Sequence, residues 1–124
     1  MRVLVVDDES LIRWSIAETL GAAGHEVTET QDAVSALAAL EKQPDPDVIP
    51  LDFRLPDSDG LGLLANIQRL APSSAVVMMT AFGTPEVTAG ALRLGARKVL
   101  SKPFDMHDLD AIVRTHAPRP PGAS

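Results

Sequence analysis

Five short segments rich in apolar and β-branched residues recur along the chain, and a segment with helical periodicity follows each of them. Nearly continuous apolar runs such as Val3–Val6 are typical of strands buried on both faces of a parallel sheet. In the intervening segments apolar residues recur three to four positions apart, which indicates helices with one buried face. The predicted strands span residues 3–6, 26–30, 48–51, 75–79 and 98–100.

Polar residues mark the starts of several predicted helices. Asp32 and Asp105 stand where the side chain of a capping residue accepts a backbone N–H of the first helical turn. On the second helix, Val34, Leu37 and Leu40 form the predicted buried face. Residues 53–60 are polar and contain proline and glycine, so they are expected to form a loop.

The alternation of strands and helices predicts one α/β domain. Its fold is a doubly wound parallel sheet with helices on both faces and right-handed crossovers. The 124 residues suffice for one domain, and the 45% content of hydrophobic residues supports a sizeable core. We assign residues 1–117 to this domain. The proline-rich residues 118–124 are expected to begin a linker.

Chemically useful side chains stand at the ends of four predicted strands. Asp7 and Asp8 follow the first strand, Asp52 follows the third, Thr80 the fourth and Lys102 the fifth. In an open parallel sheet, ligands bind in the crevice at the carboxyl ends of the strands. Three acids, a hydroxyl and an ammonium in one crevice suit a divalent cation together with a phosphoryl group.

Composition argues against several other classes of function. A formal net charge of −6 and the scarcity of aromatic residues argue against direct nucleic-acid binding by this domain. The absence of cysteine excludes disulfides and thiolate–zinc chemistry. No apolar run approaches the roughly 18 residues of a membrane span, and the start of the chain shows no signal-peptide pattern. We therefore expect a cytoplasmic protein that does not contact a membrane.

Four motifs carry a family resemblance over about residues 1–116. The motifs are Val5-Val6-Asp7-Asp8-Glu9, the segment from Leu51 to Gly60, Met79-Thr80-Ala81 and Lys102-Pro103-Phe104. With these motifs, the chain resembles the receiver (CheY-like) domain of two-component response regulators. The runs 12–14 and 102–105 are similar to the NtrC-like, sigma-54-dependent branch. The resemblance implies a flavodoxin-like fold with five strands in the order 2-1-3-4-5 and five helices.

The resemblance also implies a magnesium site. By analogy, Asp8 and Asp52 bind Mg²⁺ directly, Asp7 acts through water, and the backbone carbonyl of Arg54 supplies a further oxygen. Water and phosphate oxygens complete the coordination of such a sparse site.

The same resemblance assigns the phosphoryl chemistry and the partners. Asp52 is the expected phosphoacceptor, with Lys102 and Thr80 holding the phosphoryl oxygens. A sensor histidine kinase would donate the phosphoryl group, and a C-terminal output domain, controlling transcription, would respond. The domain is then a signalling switch that assists its own phosphorylation and dephosphorylation rather than a turnover enzyme. A homodimer through the fourth helix, fifth strand and fifth helix is a further expectation.

Two positions depart from what this reading expects. Val99 occupies a place that is commonly aromatic in the family, so a switch through a rotating ring is not available. Pro50 lies inside the predicted third strand, where a proline removes a ladder hydrogen bond.

Three alternatives remain open. A degenerate receiver would only bind partner proteins. A haloacid-dehalogenase-type phosphatase would carry a second aspartate two residues after the nucleophile, where this chain has Arg54. A flavin binder of the same topology would need a phosphate loop rich in Ser, Thr and Gly after the first strand, and none is present.

Overall fold

Five parallel strands form the central sheet of the structure, a computed structural model that describes residues 1–81 and 83–118. The strand order is β2-β1-β3-β6-β7, so that β3 is central. This is the order 2-1-3-4-5 of the five-stranded flavodoxin-like sheet, which confirms the expected fold. The strands are β1 Arg2–Val6, β2 Glu26–Thr30, β3 Val48–Asp52, β6 Ala75–Thr80 and β7 Lys98–Ser101.

Within the described part of the chain, five helices cover the two faces of this sheet. Asp32 and Asp105 cap α2 and α5 by accepting a backbone N–H, as the sequence predicts, and Asp59 caps α3 in the same way. Thr84 caps α4, with Pro85 at its first position. The helices are α1 Ser10–Ala22, α2 Ala33–Lys42, α3 Gly60–Leu70, α4 Pro85–Arg93 and α5 Met106–His116.

The core consists of two apolar clusters, one on each face of the sheet. Successive strand residues point to opposite faces, so that Val3 and Val5 join one cluster while Leu4 and Val6 join the other. Side chains of α1 and α5 complete the first cluster, and those of α2, α3 and α4 complete the second. This double burial explains why the strands read as nearly continuous apolar runs.

Pro50 interrupts the pairing of β3 with β1 and leaves the pairing with β6 intact. β3 pairs with β6 over all five of its residues, but with β1 only through Val3–Val48 and Val6–Leu51. In this register, the amide at position 50 would donate to the carbonyl of Leu4, and proline has no N–H. The missing ladder bond is therefore the one that faces β1.

Two local expectations were wrong. Val34 is 70% exposed, since α2 lies on the sheet through Ala33, Ala36 and Leu40. With these residues facing the core, Val34 lies on the outer side of the helix.

The segment 53–60 is more ordered than a loop, because it contains a two-stranded antiparallel hairpin. β4 is Arg54–Leu55 and β5 is Ser58–Asp59, with Arg54 opposite Asp59. At the other end of the chain, residues 119–124 of the expected linker lie outside the described part of the structure.

Candidate functional site

The strand ends bring the predicted site residues to one edge of the sheet. Asp7 directly follows β1, Asp52 ends β3 and Thr80 ends β6. These three strands are neighbours, with Val6 paired to Leu51 and Asp52 to Met79. Because the strands are parallel and in register at this edge, residues far apart in sequence meet there.

Three carboxylates converge at this edge. Oxygen atoms of Asp7, Asp8 and Asp52 all lie within 4.8 Å of one another. Asp7 and Asp52 are buried, whereas Asp8 is exposed. The cluster therefore has a protein-covered side and a side open to solvent.

The ammonium group of Lys102 lies among the carboxylates. Its Nζ is 3.0 Å from Asp7 Oδ2 and 3.4 Å from Asp52 Oδ2, and the side chain is only 8% exposed. The backbone N–H of Lys102 also donates to the carbonyl of Thr80, 2.8 Å away. This bond continues the β6–β7 pairing by one residue and holds Lys102 beside the buried Thr80.

Burial and charge shift the pKa of Asp52 upward. Burial is the largest cause, and the neighbouring charge of Asp7 adds to it. The ammonium of Lys102 and the N–H of Arg54 act in the opposite direction. Together they leave the pKa of Asp52 at about 6 instead of 3.8.

The pKa of Lys102 is also raised, although burial alone would lower it. The hydrogen bond to Asp7 outweighs burial, together with the charges of Asp7, Asp52 and Glu9. Lys102 is therefore a permanent cation of this site at neutral pH.

Two further residues support the site, although sequence reasoning had not assigned them a role there. The carboxylate of Glu9 approaches Lys102 Nζ at 3.6 Å from the exposed side. Arg13 donates from Nη1 to the carbonyl of Asp7 at 2.8 Å, and its Nε lies 3.5 Å from Glu29. Arg13 lies in the first turn of α1, one helical turn after Glu9. That spacing is the sequence signal that would have identified it.

The donor set fits a magnesium ion. Mg²⁺ prefers oxygen ligands and keeps several waters, and this cluster offers carboxylate oxygens with one side open to solvent. With all groups ionised, the three aspartates and Lys102 leave a formal charge of −2, which a divalent cation balances. Arg54 lies two residues after Asp52, and its N–H donates to Asp52 Oδ1 at 3.3 Å.

Comparison with known proteins decides the family. The sequence profile of the response regulator receiver domain matches residues 3–114. The chain belongs to this family. The receiver domain is 40% identical over 111 residues to the DNA-binding transcriptional regulator NtrC of Salmonella typhimurium. It is 36% identical over 114 residues to the response regulator protein PilR of Pseudomonas aeruginosa.

These curated relatives are much longer than the chain. The matches cover 90% and 92% of the chain but only 24% of NtrC and 25% of PilR. The chain therefore corresponds to one domain of such regulators.

Solved structures agree with the assignment of the fold. A CheY-like receiver domain protein from Methanospirillum hungatei matches with a TM-score of 0.87 and 30% identity, covering 92% of the chain and 90% of that protein. NtrX from Brucella abortus matches with a TM-score of 0.86 and 38% identity, covering 93% of the chain and 26% of NtrX. The family and the NtrC-like branch inferred from the sequence motifs are both confirmed. Among residues 1–81 and 83–118, no helix combines the length and apolar character that a membrane crossing requires.

Proposed function

We propose that this receiver domain accepts a phosphoryl group on Asp52 and thereby acts as a signalling switch. The observation that carries the proposal is the position of the Asp52 carboxylate, buried at the end of the central strand. It lies 3.4 Å from the Lys102 ammonium and in one cluster with Asp7 and Asp8. A nucleophile, a cation for phosphoryl oxygens and a set of metal ligands thus meet at one point.

The transfer step follows from these groups. A carboxylate oxygen of Asp52 attacks phosphorus, and the bond from phosphorus to the donor breaks as its electron pair leaves with the donor. The donor is the phosphohistidine of a sensor kinase or a small acyl phosphate, and the product is an acyl phosphate on Asp52. The attacking carboxylate must be ionised, so the ammonium of Lys102 favours the reactive form.

The neighbouring residues stabilise the charge of the transferring group. Lys102 and the Thr80 hydroxyl hold phosphoryl oxygens, and Lys102 gives up part of its contact with Asp52 when the phosphoryl group arrives. Asp8, Asp52 and the Arg54 carbonyl would hold Mg²⁺ directly, with Asp7 bound through water. When bound, this ion neutralises charge on the transferring phosphoryl group.

Partners follow from the open side of the site. Beside Lys102, an apolar hollow lined by Ile12, Phe104 and Met106 would receive the surface of a sensor histidine kinase. The longer relatives support a C-terminal output domain that controls transcription in the cytoplasm. We also propose that phosphorylation favours a homodimer through the face formed by α4, β7 and α5. Exposed Leu92 offers apolar surface on α4.

Treatment with an acyl phosphate and Mg²⁺ tests the proposal. Intact mass spectrometry should show one phosphoryl adduct on the wild type, none with a chelator present and none on Asp52→Asn. Asp45→Asn, which removes a charge from an exposed turn at the opposite edge of the sheet, is the matched control and should form the adduct normally.

The outcomes separate the alternatives. A wild type that forms no adduct but keeps its fold would be a degenerate receiver that only binds partners. Turnover of a phosphate ester would indicate a phosphatase of the haloacid-dehalogenase type, against which Arg54 already argues. An undiminished adduct on Asp52→Asn would refute the assignment of the nucleophile.

A further inference from the structure

The hairpin that follows Asp52 is anchored at its tip to a different helix. Asp57 lies in the turn between β4 and β5. Its Oδ1 accepts the N–H of Ala33 at 2.9 Å, and its Oδ2 accepts the N–H of Val34 at 3.1 Å. These are the first two residues of α2, whose N–H groups have no partner within the helix. A negative charge at this position also interacts favourably with the helix dipole.

This anchor is separate from the normal cap of α2. The capping residue is Asp32, whose side chain accepts the N–H of Ser35 at 2.8 Å. Asp57 reaches the helix from 24 residues further along the chain. It therefore connects the hairpin to α2, whereas Asp32 stabilises the helix locally.

The base of the hairpin is fastened to another helix. Asp59 Oδ1 accepts the N–H of Gly62 at 2.9 Å in the first turn of α3. Gly60 is packed so tightly that a Cβ there would lie 2.4 Å from the carbonyl oxygen of Phe53. The two ends of the hairpin are thus held by the N-termini of two helices.

The hairpin itself is too short to hold its own position. It has two residue pairs, and an isolated two-stranded hairpin is marginally stable in water. Its orientation over the site must come from its anchors. Arg54 lies on this hairpin, and its N–H donates to the Asp52 carboxylate at 3.3 Å. The hairpin thus connects the bonds at its tip to the Asp52 carboxylate through Arg54.

We propose that Asp57 is a positioning residue for the phosphoacceptor site. It holds the hairpin so that the Arg54 N–H orients Asp52 and the Arg54 carbonyl is available to Mg²⁺. This inference rests on the proposed function, because it assigns to Asp57 the ordering of that same metal and phosphoryl site. Asp57 touches neither the metal nor the phosphoryl group.

Mg²⁺ binding by Asp57 variants tests the inference. Isothermal titration calorimetry with Mg²⁺ alone should show about tenfold weaker binding for Asp57→Ala, as for other outer residues that orient metal ligands. Asp57→Asn keeps one carbonyl oxygen as an acceptor, so its affinity should fall between those of the wild type and Asp57→Ala. Asp45→Asn, with the same loss of charge at a distant turn, should bind Mg²⁺ like the wild type.

Amide hydrogen exchange of Ala33 and Val34 separates a positioning role from a purely structural one. Both amides should lose protection in Asp57→Ala, and one of them in Asp57→Asn, together with the loss of Mg²⁺ affinity. Lost protection with unchanged Mg²⁺ affinity would overturn the proposal and leave Asp57 as a structural anchor of α2. Unchanged protection of both amides would show that the two hydrogen bonds of Asp57 do not stabilise the start of α2. That result would overturn the proposal as well.

The same experiment separates this inference from the proposed function. Suppose that the wild type binds Mg²⁺ and forms the Asp52 adduct, and that Asp57→Asn and Asp57→Ala form the adduct and bind Mg²⁺ with the same affinity as the wild type. This result overturns only the role of Asp57. A folded wild type that neither binds Mg²⁺ nor forms an adduct overturns the proposed function, and the role of Asp57 falls with it. If Asp57→Ala does not fold, Asp57→Asn alone decides.

Discussion

Individual residues at the site have unequal roles although they share one type of side chain. Asp7 is fully buried, and its carboxylate accepts hydrogen bonds from Lys102 Nζ at 3.0 Å and from the N–H of Glu9 at 2.9 Å. Asp52 is farther from Lys102, and its raised pKa shows that its environment disfavours its charge. Asp8 is exposed to solvent. The acidic cluster thus consists of a carboxylate bonded to Lys102 and Glu9, one whose pKa is raised, and one open to solvent.

The pKa of Asp52 predicts how the metal-free protein responds to pH. The folded-state pKa of about 6 lies above the 3.8 of an unperturbed aspartate, so the folded state binds more protons between these values. Stability therefore falls as pH rises through this window, and the penalty is complete above about pH 6. Keeping Asp52 ionised costs on the order of 2–3 kcal/mol.

Urea denaturation in the presence of a chelator measures this effect. At pH 7.5, Asp52→Asn should be more stable than the wild type by about 1–2 kcal/mol, and the difference should shrink toward pH 4.5. Asp7→Asn should instead be destabilised, because it weakens the contact with the buried ammonium of Lys102. A difference between Asp52→Asn and wild type that stays constant over this pH range would contradict the assignment.

At the level of the elements, β3 combines a central position with a proline. The gap in its pairing with β1 leaves the carbonyl of Leu4 without the donor that a regular ladder would supply. Leu4 is buried, so the loss of this bond is not readily repaired by solvent. The pairing with β6 is continuous and keeps Asp52 in register with Met79. The strand tolerates Pro50 because its pairing with β6, and not its pairing with β1, positions Asp52 at the site.

Restoring an amide at position 50 should stabilise the domain. Pro50→Val supplies the donor for Leu4 and should gain about 1 kcal/mol, since a buried unpaired acceptor costs about 1–3 kcal/mol. Removing a proline also gives the unfolded chain more conformational freedom, which lowers the gain in stability by about 0.4–1 kcal/mol. Thermal unfolding of Pro72→Val, at an exposed turn, measures that offset alone. A midpoint for Pro50→Val below that of Pro72→Val would show that the strand is built around the proline.

At the scale of the whole molecule, a cation bound at the acidic cluster would couple stability to the occupancy of the site. The acids converge only in the folded state, so an ion that bridges them would bind the folded state in preference to the unfolded one. Such an ion would also relieve the repulsion from Asp7, which adds to the effect of burial on the pKa of Asp52. Folding, metal binding and the charge of Asp52 would therefore be linked.

Magnesium should stabilise the wild type by mass action. At a concentration ten times the dissociation constant, the gain is about 1.4 kcal/mol. Urea denaturation at pH 7.5, with chelator and then with Mg²⁺, should show this gain for wild type and Asp45→Asn and a much smaller one for Asp52→Asn. Equal stabilisation of all three proteins would mean that the acids do not form one cation site.

Much of this molecule was readable from the sequence, because its signals are local or repeat along the chain. Apolar runs buried on both faces predict parallel strands, and Asp7, Asp52, Thr80 and Lys102 each stand at a strand end. Parallel strands share one carboxyl edge, so their convergence could be expected without knowing any distance.

Only the tertiary structure decided how these elements contact one another. The periodicity of α2 predicts a buried face that includes Val34, whereas the folded structure buries Ala33, Ala36 and Leu40 instead. The side on which Pro50 loses a bond depends on the register of β1 and β3. The bonds of Asp57 to α2 join residues 24 and 23 positions apart, which no local pattern encodes. Helical and strand periods are properties of neighbouring residues, whereas register, rotation and anchoring depend on surfaces that meet only when the chain is folded.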